Sequence, residues 1–255
     1  MGDLLARGCL VAMVPLLPLL YLQGRLVRRR TPRLPDAKGP TFGRVPGREP
    51  ALRLLVVGES TVAGVGAPTQ EVALTGQLAA TLAQRYRRAV CWRALGRSGV
   101  SARDVHRLLL PELEETAADL VVLALGVNDV LRFRSPEGWR ADLRRLIAAL
   151  RRRLGRVPVI LAPVPRMQYF PALPQPLRWI LGLRSRMLDG AARRLAQQME
   201  CVVHVPFFMD PRAVELFCTD GFHPSVKGYA AWAEQLAEAA LPCAAEGRHA
   251  GGRLP

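Results

Sequence analysis

Lysine is nearly absent from this chain. Only Lys38 and Lys227 occur in 255 residues, so the net charge of +15 is carried almost wholly by arginine. Nine basic and three acidic residues fall in positions 1–50, and the rest of the excess is scattered, as at Arg144, Arg145, Arg151, Arg152 and Arg153. A nucleic-acid surface would need a clustered stripe with interleaved aromatics, or a recognisable module, and neither is present. Solvated helix faces account for the charge, and no nucleic-acid partner is expected.

Cysteine is also scarce. Cys9, Cys91, Cys201, Cys218 and Cys243 are odd in number, and no two stand at the close spacing of a zinc site. Cys91 and Cys201 lie in apolar runs, where cysteine behaves as a small hydrophobe. No disulfide framework is expected, and a reducing compartment is favoured. The glycines after Ser60 lack the Gly-Lys-Ser/Thr of a phosphate-binding loop. No Gly-x-Ser-x-Gly elbow surrounds Ser60 either.

An ordinary cleaved signal peptide is not expected either. Gly8–Leu22 is a nearly unbroken apolar run, but no small-residue cleavage site precedes the cluster Arg25, Arg28, Arg29, Arg30 and Arg33. The run is short for a straight span of about 20 residues and contains Pro15 and Pro18. Residues 1–24 therefore read as a hydrophobic membrane anchor, either a short span or an interfacial segment. Residues 25–50 read as a basic, proline-rich linker. The arginine flank should stay cytoplasmic and attract anionic lipids, which would put the domain that follows on the cytoplasmic face. A periplasmic domain behind a signal anchor is the alternative.

What is present begins at Leu52. Short apolar runs recur at Leu52–Val57, Val90–Leu95, Leu120–Leu125, Val157–Leu161 and Cys201–Val205. Segments of helical period separate them: Leu74–Arg87, Ala102–Glu115, Gly138–Leu154, Leu177–Met199 and Lys227–Leu241. Continuous apolar strands alternating with helices predict a parallel sheet buried on both faces. Right-handed crossovers then give a five-stranded, three-layer α/β/α sandwich over residues 51–241, followed by a flexible tail at 242–255.

Polar or glycine-rich segments follow these strands: Gly58-Glu59-Ser60, Gly96-Arg97-Ser98-Gly99, Gly126-Val127-Asn128-Asp129 and Asp220-Gly221-Phe222-His223. All should meet at the carboxyl edge of the sheet, where such folds bind ligands. A serine hydroxyl needs an adjacent base, and that base needs an anchor for its tautomer. Asp220 and His223 are close enough for the carboxylate to hold Nδ1–H while Nε2 faces outward. The amides of Ser60 and Gly99 and the side chain of Asn128 can supply donors to an oxyanion.

In this order the four blocks resemble the SGNH/GDSL hydrolase family over roughly residues 51–241. The resemblance implies Ser60 as nucleophile, His223 as base, Asp220 as its orienting acid, and Gly99 and Asn128 as oxyanion-hole partners. It also implies a flavodoxin-like strand order and no metal or organic cofactor. Two positions depart from the family's pattern. Glu59 stands where aspartate is usual, and Ala94 and Leu95 stand where an asparagine is usual. Gly96 competes with Gly99 for the glycine role.

Each residue also has a plainer reading. Ser60 could cap a helix, and Asn128-Asp129 could be a turn pair, with Asp129 a structural carboxylate. His106, His204 and His249 lack an aspartate three residues earlier and read as satisfied or solvated histidines. The stretch Met167–Pro176 reads either as an acyl-pocket wall carrying Tyr169 and Phe170 or as a stiffened loop packed on the core. The expected function is ester hydrolysis through an acyl-enzyme on Ser60, with a lipid-like ester as substrate. The alternatives are acyl transfer or deacetylation on a lipid or saccharide alcohol, and a non-catalytic membrane-associated binding protein.

Overall fold

The computed structural model describes residues 14–206 and 213–246, with side chains described for 15–206 and 213–240. Its strands are β1 (Phe42–Val45), β2 (Arg48–Gly58), β3 (Arg88–Gly96), β4 (Leu120–Ala124), β5 (Val159–Leu161) and β6 (Val202–His204). The main helices are α1 (Leu17–Arg30), α2 (Leu74–Tyr86), α3 (Pro136–Leu154), α4 (Leu177–Ala196) and α5 (Val226–Glu246).

One sheet holds the six strands in the order β1-β3-β2-β4-β5-β6. Strands β2 to β6 are parallel throughout, in the flavodoxin-like order 2-1-3-4-5 counted among themselves. The expected count of five is corrected to six. β1 joins the edge antiparallel to β3, with Phe42 opposite Arg93 and Val45 opposite Val90. It lies in the stretch expected to be a linker.

Alternation along β2 builds the layers. Leu54 and Val56 point into a core shared with Leu78 and Leu82 of α2 and Tyr229 and Leu236 of α5. Leu55 and Val57 point the other way, onto Trp139 and Leu143 of α3 and Leu181 and Leu188 of α4. A strand buried on both faces must be apolar at every position, and β2 is so from Leu54 to Val57. α3 begins where Ser135 Oγ accepts from Gly138 N at 3.1 Å with Pro136 in the first turn, and it stops at Gly155 with φ +79°.

The helix expected over Ala102–Glu115 is broken. A capping box between Ser101 and Asp104 starts a single turn, which widens to a π-helix at Val105–Leu109 and tightens to 3-10 at Leu110–Glu112. Pro111 has no N–H to continue an α-helical ladder.

At the N-terminus, part of the expected anchor (residues 1–13) lies outside the described residues. The rest does not end at a linker. α1 runs through the expected boundary at residue 24 and lies against the domain. Leu20 is buried, Gln23 Nε2 donates to Gln175 O at 2.7 Å, and Leu177 N donates to Gln23 Oε1 at 3.2 Å. Leu17, Leu19, Tyr21, Leu22 and Leu26 remain exposed. Among the described residues, no helix is long and apolar enough to cross a membrane.

Register places the chemistry. Gly58 pairs with both Gly96 and Ala124, so β2, β3 and β4 end level. The segments carrying Ser60, Gly99 and Asn128 leave the sheet side by side.

Candidate active site

The turn after β2 is built by its backbone. Val62 N and Ala63 N both donate to Glu59 O, at 2.9 and 3.0 Å, and Val65 N donates to Ser60 O at 3.0 Å. Glycine is needed on both flanks of this turn. A Cβ on Gly58 would collide with Ala124 O, and one on Gly96 would collide with Ala63 N. Gly96 is therefore occupied in packing the serine turn.

The histidine segment is fastened to the same turn. Tyr229 Oη of α5 donates to Val65 O at 2.6 Å, and Cys218 N donates to His223 O at 2.8 Å. Gly66 has φ +94°, and a Cβ there would lie 2.5 Å from Cys218 Sγ. The Ser60 turn and the His223 loop thus lock through close contact.

Three of the candidate residues meet directly. His223 Nε2 lies 3.1 Å from Ser60 Oγ, and His223 Nδ1 lies 2.6 Å from Asp220 Oδ2. Asp220 Oδ1 accepts from Phe222 N at 2.9 Å and His223 N at 3.0 Å. Burial alone would raise the Asp220 pKa. The bonds from His223 and the two amides outweigh it and hold the carboxyl below its ordinary value. An ionised carboxylate only accepts, so Nδ1 carries the proton and Nε2 is free to accept from the Ser60 hydroxyl.

Asn128 lies in the first turn of the short helix Val127–Leu131 and is held by Glu59. The buried Glu59 carboxylate accepts from Val127 N at 2.9 Å, from Asn128 N at 3.0 Å, and from Asn128 Nδ2. Burial pushes the Glu59 pKa up to about 7 against the pull of these donors, with the nearby Asp129 charge adding to the rise. The expected adjustment at Glu59 is thus a clamp on Asn128, a role the Glu-Ser pair alone does not reveal.

Asp129 is buried and accepts from Ala102 N at 3.0 Å, a structural contact. Burial raises its pKa to about 6. Gly99 lies in the exposed loop after β3, with φ +81° and its carbonyl accepting from Arg132 Nη2 at 2.9 Å. His204 is paired with Asp189 at 2.8 Å, as a satisfied histidine. His106 falls in the π-helical turn, and His249 lies outside the described residues.

A cavity of about 200 Å³ opens beside Ser60 and His223. Phe170 lines it and packs edge-on against Phe217 and Phe222 at 5.4 and 5.0 Å. Tyr169 is not among the lining residues. Leu216, Phe217 and Trp232 line it without having been expected from the sequence. The available signal was the spacing of Gly228, Ala231, Trp232 and Gln235 on one helix face. Among the described residues, no group of three or more His, Cys, Asp or Glu could hold a metal ion.

The GDSL-like Lipase/Acylhydrolase family matches residues 56–231. The chain belongs to that family. It is accordingly a hydrolase acting on ester bonds. No curated protein sequence matches it. Among solved structures it is similar to the lipase Lip_vut3 from a goat rumen metagenome, with 20% identity and TM-score 0.57 over 74% of this chain and 97% of that one. It is also similar to the lipase/acylhydrolase from Enterococcus faecalis, with 20% identity and TM-score 0.56 over 74% and 94%. The psychrotrophic esterase EstA from Pseudoalteromonas sp., in a structure inhibited by monoethylphosphonate, matches at 18% identity and TM-score 0.53 over 74% and 97%. At these identities the likeness is one of fold.

Proposed function

We propose that the chain hydrolyses carboxylic esters through an acyl-enzyme on Ser60. The observation that carries this is the continuous path from Asp220 Oδ2 to His223 Nδ1, and from His223 Nε2 to Ser60 Oγ, at 2.6 and 3.1 Å. His223 Nε2 takes the Ser60 proton as Oγ bonds to the acyl carbon, and the carbonyl π pair moves onto oxygen. The Ser60 and Gly99 amides and Asn128 Nδ2 receive that oxyanion. With one Nδ2 hydrogen held by Glu59, the other is left for the substrate. Collapse breaks the bond to the alcohol oxygen, which takes the proton from Nε2. Water then repeats the sequence on the acyl-enzyme, releasing the acid and restoring Ser60. Inhibition of the Pseudoalteromonas esterase by a phosphonate supports a nucleophilic serine in this fold.

The test is turnover of p-nitrophenyl acetate by Ser60→Ala. Loss of hydrolysis with an unchanged melting curve is expected, and activity near the parent's would refute the assignment. Adding a primary alcohol separates hydrolysis from transfer to a lipid or saccharide alcohol. Acid as the main product supports hydrolysis, and a new ester as the main product makes the chain an acyltransferase.

Attachment to a membrane surface belongs to the same proposal. α1 exposes Leu17, Leu19, Tyr21 and Leu22 ahead of Arg25, Arg28, Arg29 and Arg30. An apolar patch followed by arginines suits an interfacial helix on anionic lipid, and the arginines favour the cytoplasmic leaflet.

A further inference from the structure

The relay accounts for the bond that breaks, and the cavity beside it bears on what the ester carries. Apart from the reacting Ser60 and His223, its only ionisable lining group among the described residues is Glu59, already occupied by Asn128 and the Val127 amide. The other polar members, Thr61, Trp232 and Gln235, are uncharged and offer a few neutral groups, and the remaining wall is almost all carbon. A phosphate or a sugar hydroxyl placed there would lose its water without gaining enough partners. A hydrocarbon chain loses nothing by the exchange.

One wall is a single face of α5. Gly228, Ala231, Trp232 and Gln235 line the cavity at i, i+3, i+4 and i+7, the spacing that stacks side chains along one side of a helix. Another part of the wall is the cluster of Phe170, Phe217 and Phe222. Gly228 cannot grow, because a Cβ would collide with Leu216 O. Ala231 is the small side chain on that face which can be enlarged, and Trp232 is the large one which can be cut back.

Volume sets the length. A dry apolar cavity of about 150 Å³ holds a benzene ring. At about 200 Å³ this one has room for somewhat more, roughly six to eight carbons on the same scale. We propose that the cavity holds an unbranched hydrocarbon chain of the ester, roughly six to eight carbons long, and that Ala231 and Trp232 set the upper limit. The inference rests on Ser60 being the nucleophile, since the cavity is placed by its position beside that residue. The ester's acyl or alcohol side could supply the chain.

Two ester series separate these sources. p-Nitrophenyl esters of increasing acyl length vary one side, and n-alkyl acetates vary the other. In the series whose chain enters the cavity, kcat/KM should rise about fourfold per methylene and stop rising at roughly six to eight carbons. Ala231→Phe should lower the ratio of kcat/KM for the eight-carbon and two-carbon members at least tenfold. Trp232→Ala should move the optimum to longer chains. A rise in the first series assigns the acyl chain, and one in the second assigns the alcohol chain. A flat response in both, with the two-carbon esters still hydrolysed, overturns the cavity assignment and leaves Ser60 in place. So does an unmoved ratio in both variants when their melting curves match the parent's. Absence of hydrolysis together with absence of fluorophosphonate labelling overturns the Ser60 reading, and this inference with it.

Discussion

Replacing Glu59 by glutamine should change how stability depends on pH. In the folded chain, burial raises the Glu59 pKa from 4.5 to about 7. A carboxyl with a raised pKa contributes stability that is fully present below its ordinary value and is lost as pH climbs through its folded value. With one pKa unit worth about 1.4 kcal/mol, the parent should lose about 3 kcal/mol relative to Glu59→Gln between pH 4.5 and pH 7. A second effect is independent of pH. The glutamine side chain offers one acceptor oxygen to the donors from Val127 and Asn128, and leaving a buried donor unpaired costs about 1–3 kcal/mol. The variant should therefore be the less stable protein at pH 5, and the gap should close or reverse by pH 8. Asp129, also raised, and Asp104, Asp119 and Asp220, all lowered, act in both proteins and largely cancel in the difference. Urea unfolding at intervals from pH 5 to pH 8, with m unchanged, measures it. A gap that stays constant across this range would refute the account of Glu59.

The other expectations concern the reaction and the surface. Asn128→Ala should lower kcat roughly 100- to 1,000-fold with little change in KM, as expected for loss of an oxyanion donor, and a pure KM effect would contradict the role. His223→Ala should cost nearly as much as Ser60→Ala, and the double variant little more, because the pair acts as one unit. An additive loss in steady-state hydrolysis would contradict that coupling. The full chain should float with anionic vesicles, and a chain lacking residues 1–30 should not, while still hydrolysing acetate esters. Equal flotation of the two would count against the exposed face of α1.

The central parallel strands were legible because a strand buried on both faces has to be apolar throughout. Leu54–Val57 and Leu120–Ala124 could be little else. β1 was hidden for the converse reason. Its four residues are exposed or half-buried, and it is held by backbone pairing to Val90–Arg93 rather than by core side chains. In the sequence it is only Phe-Gly-Arg-Val among prolines and glycines. Ser60, Asp220 and His223 were legible because two of them are three residues apart and the third follows a strand. The aromatic cavity was not, because Phe170, Phe217 and Trp232 meet only when three separate segments fold together. Glu59 was seen as a departure, but its grip on Asn128 depends on β2 and β4 ending level.

The most direct test of the central claim is the mass of the intact protein after reaction with a small fluorophosphonate, followed by peptide mapping. The relay at Asp220, His223 and Ser60 predicts one adduct, on Ser60, formed far more slowly in His223→Ala and absent in Ser60→Ala. An adduct on another residue, or none on a folded protein that still hydrolyses esters, would contradict it.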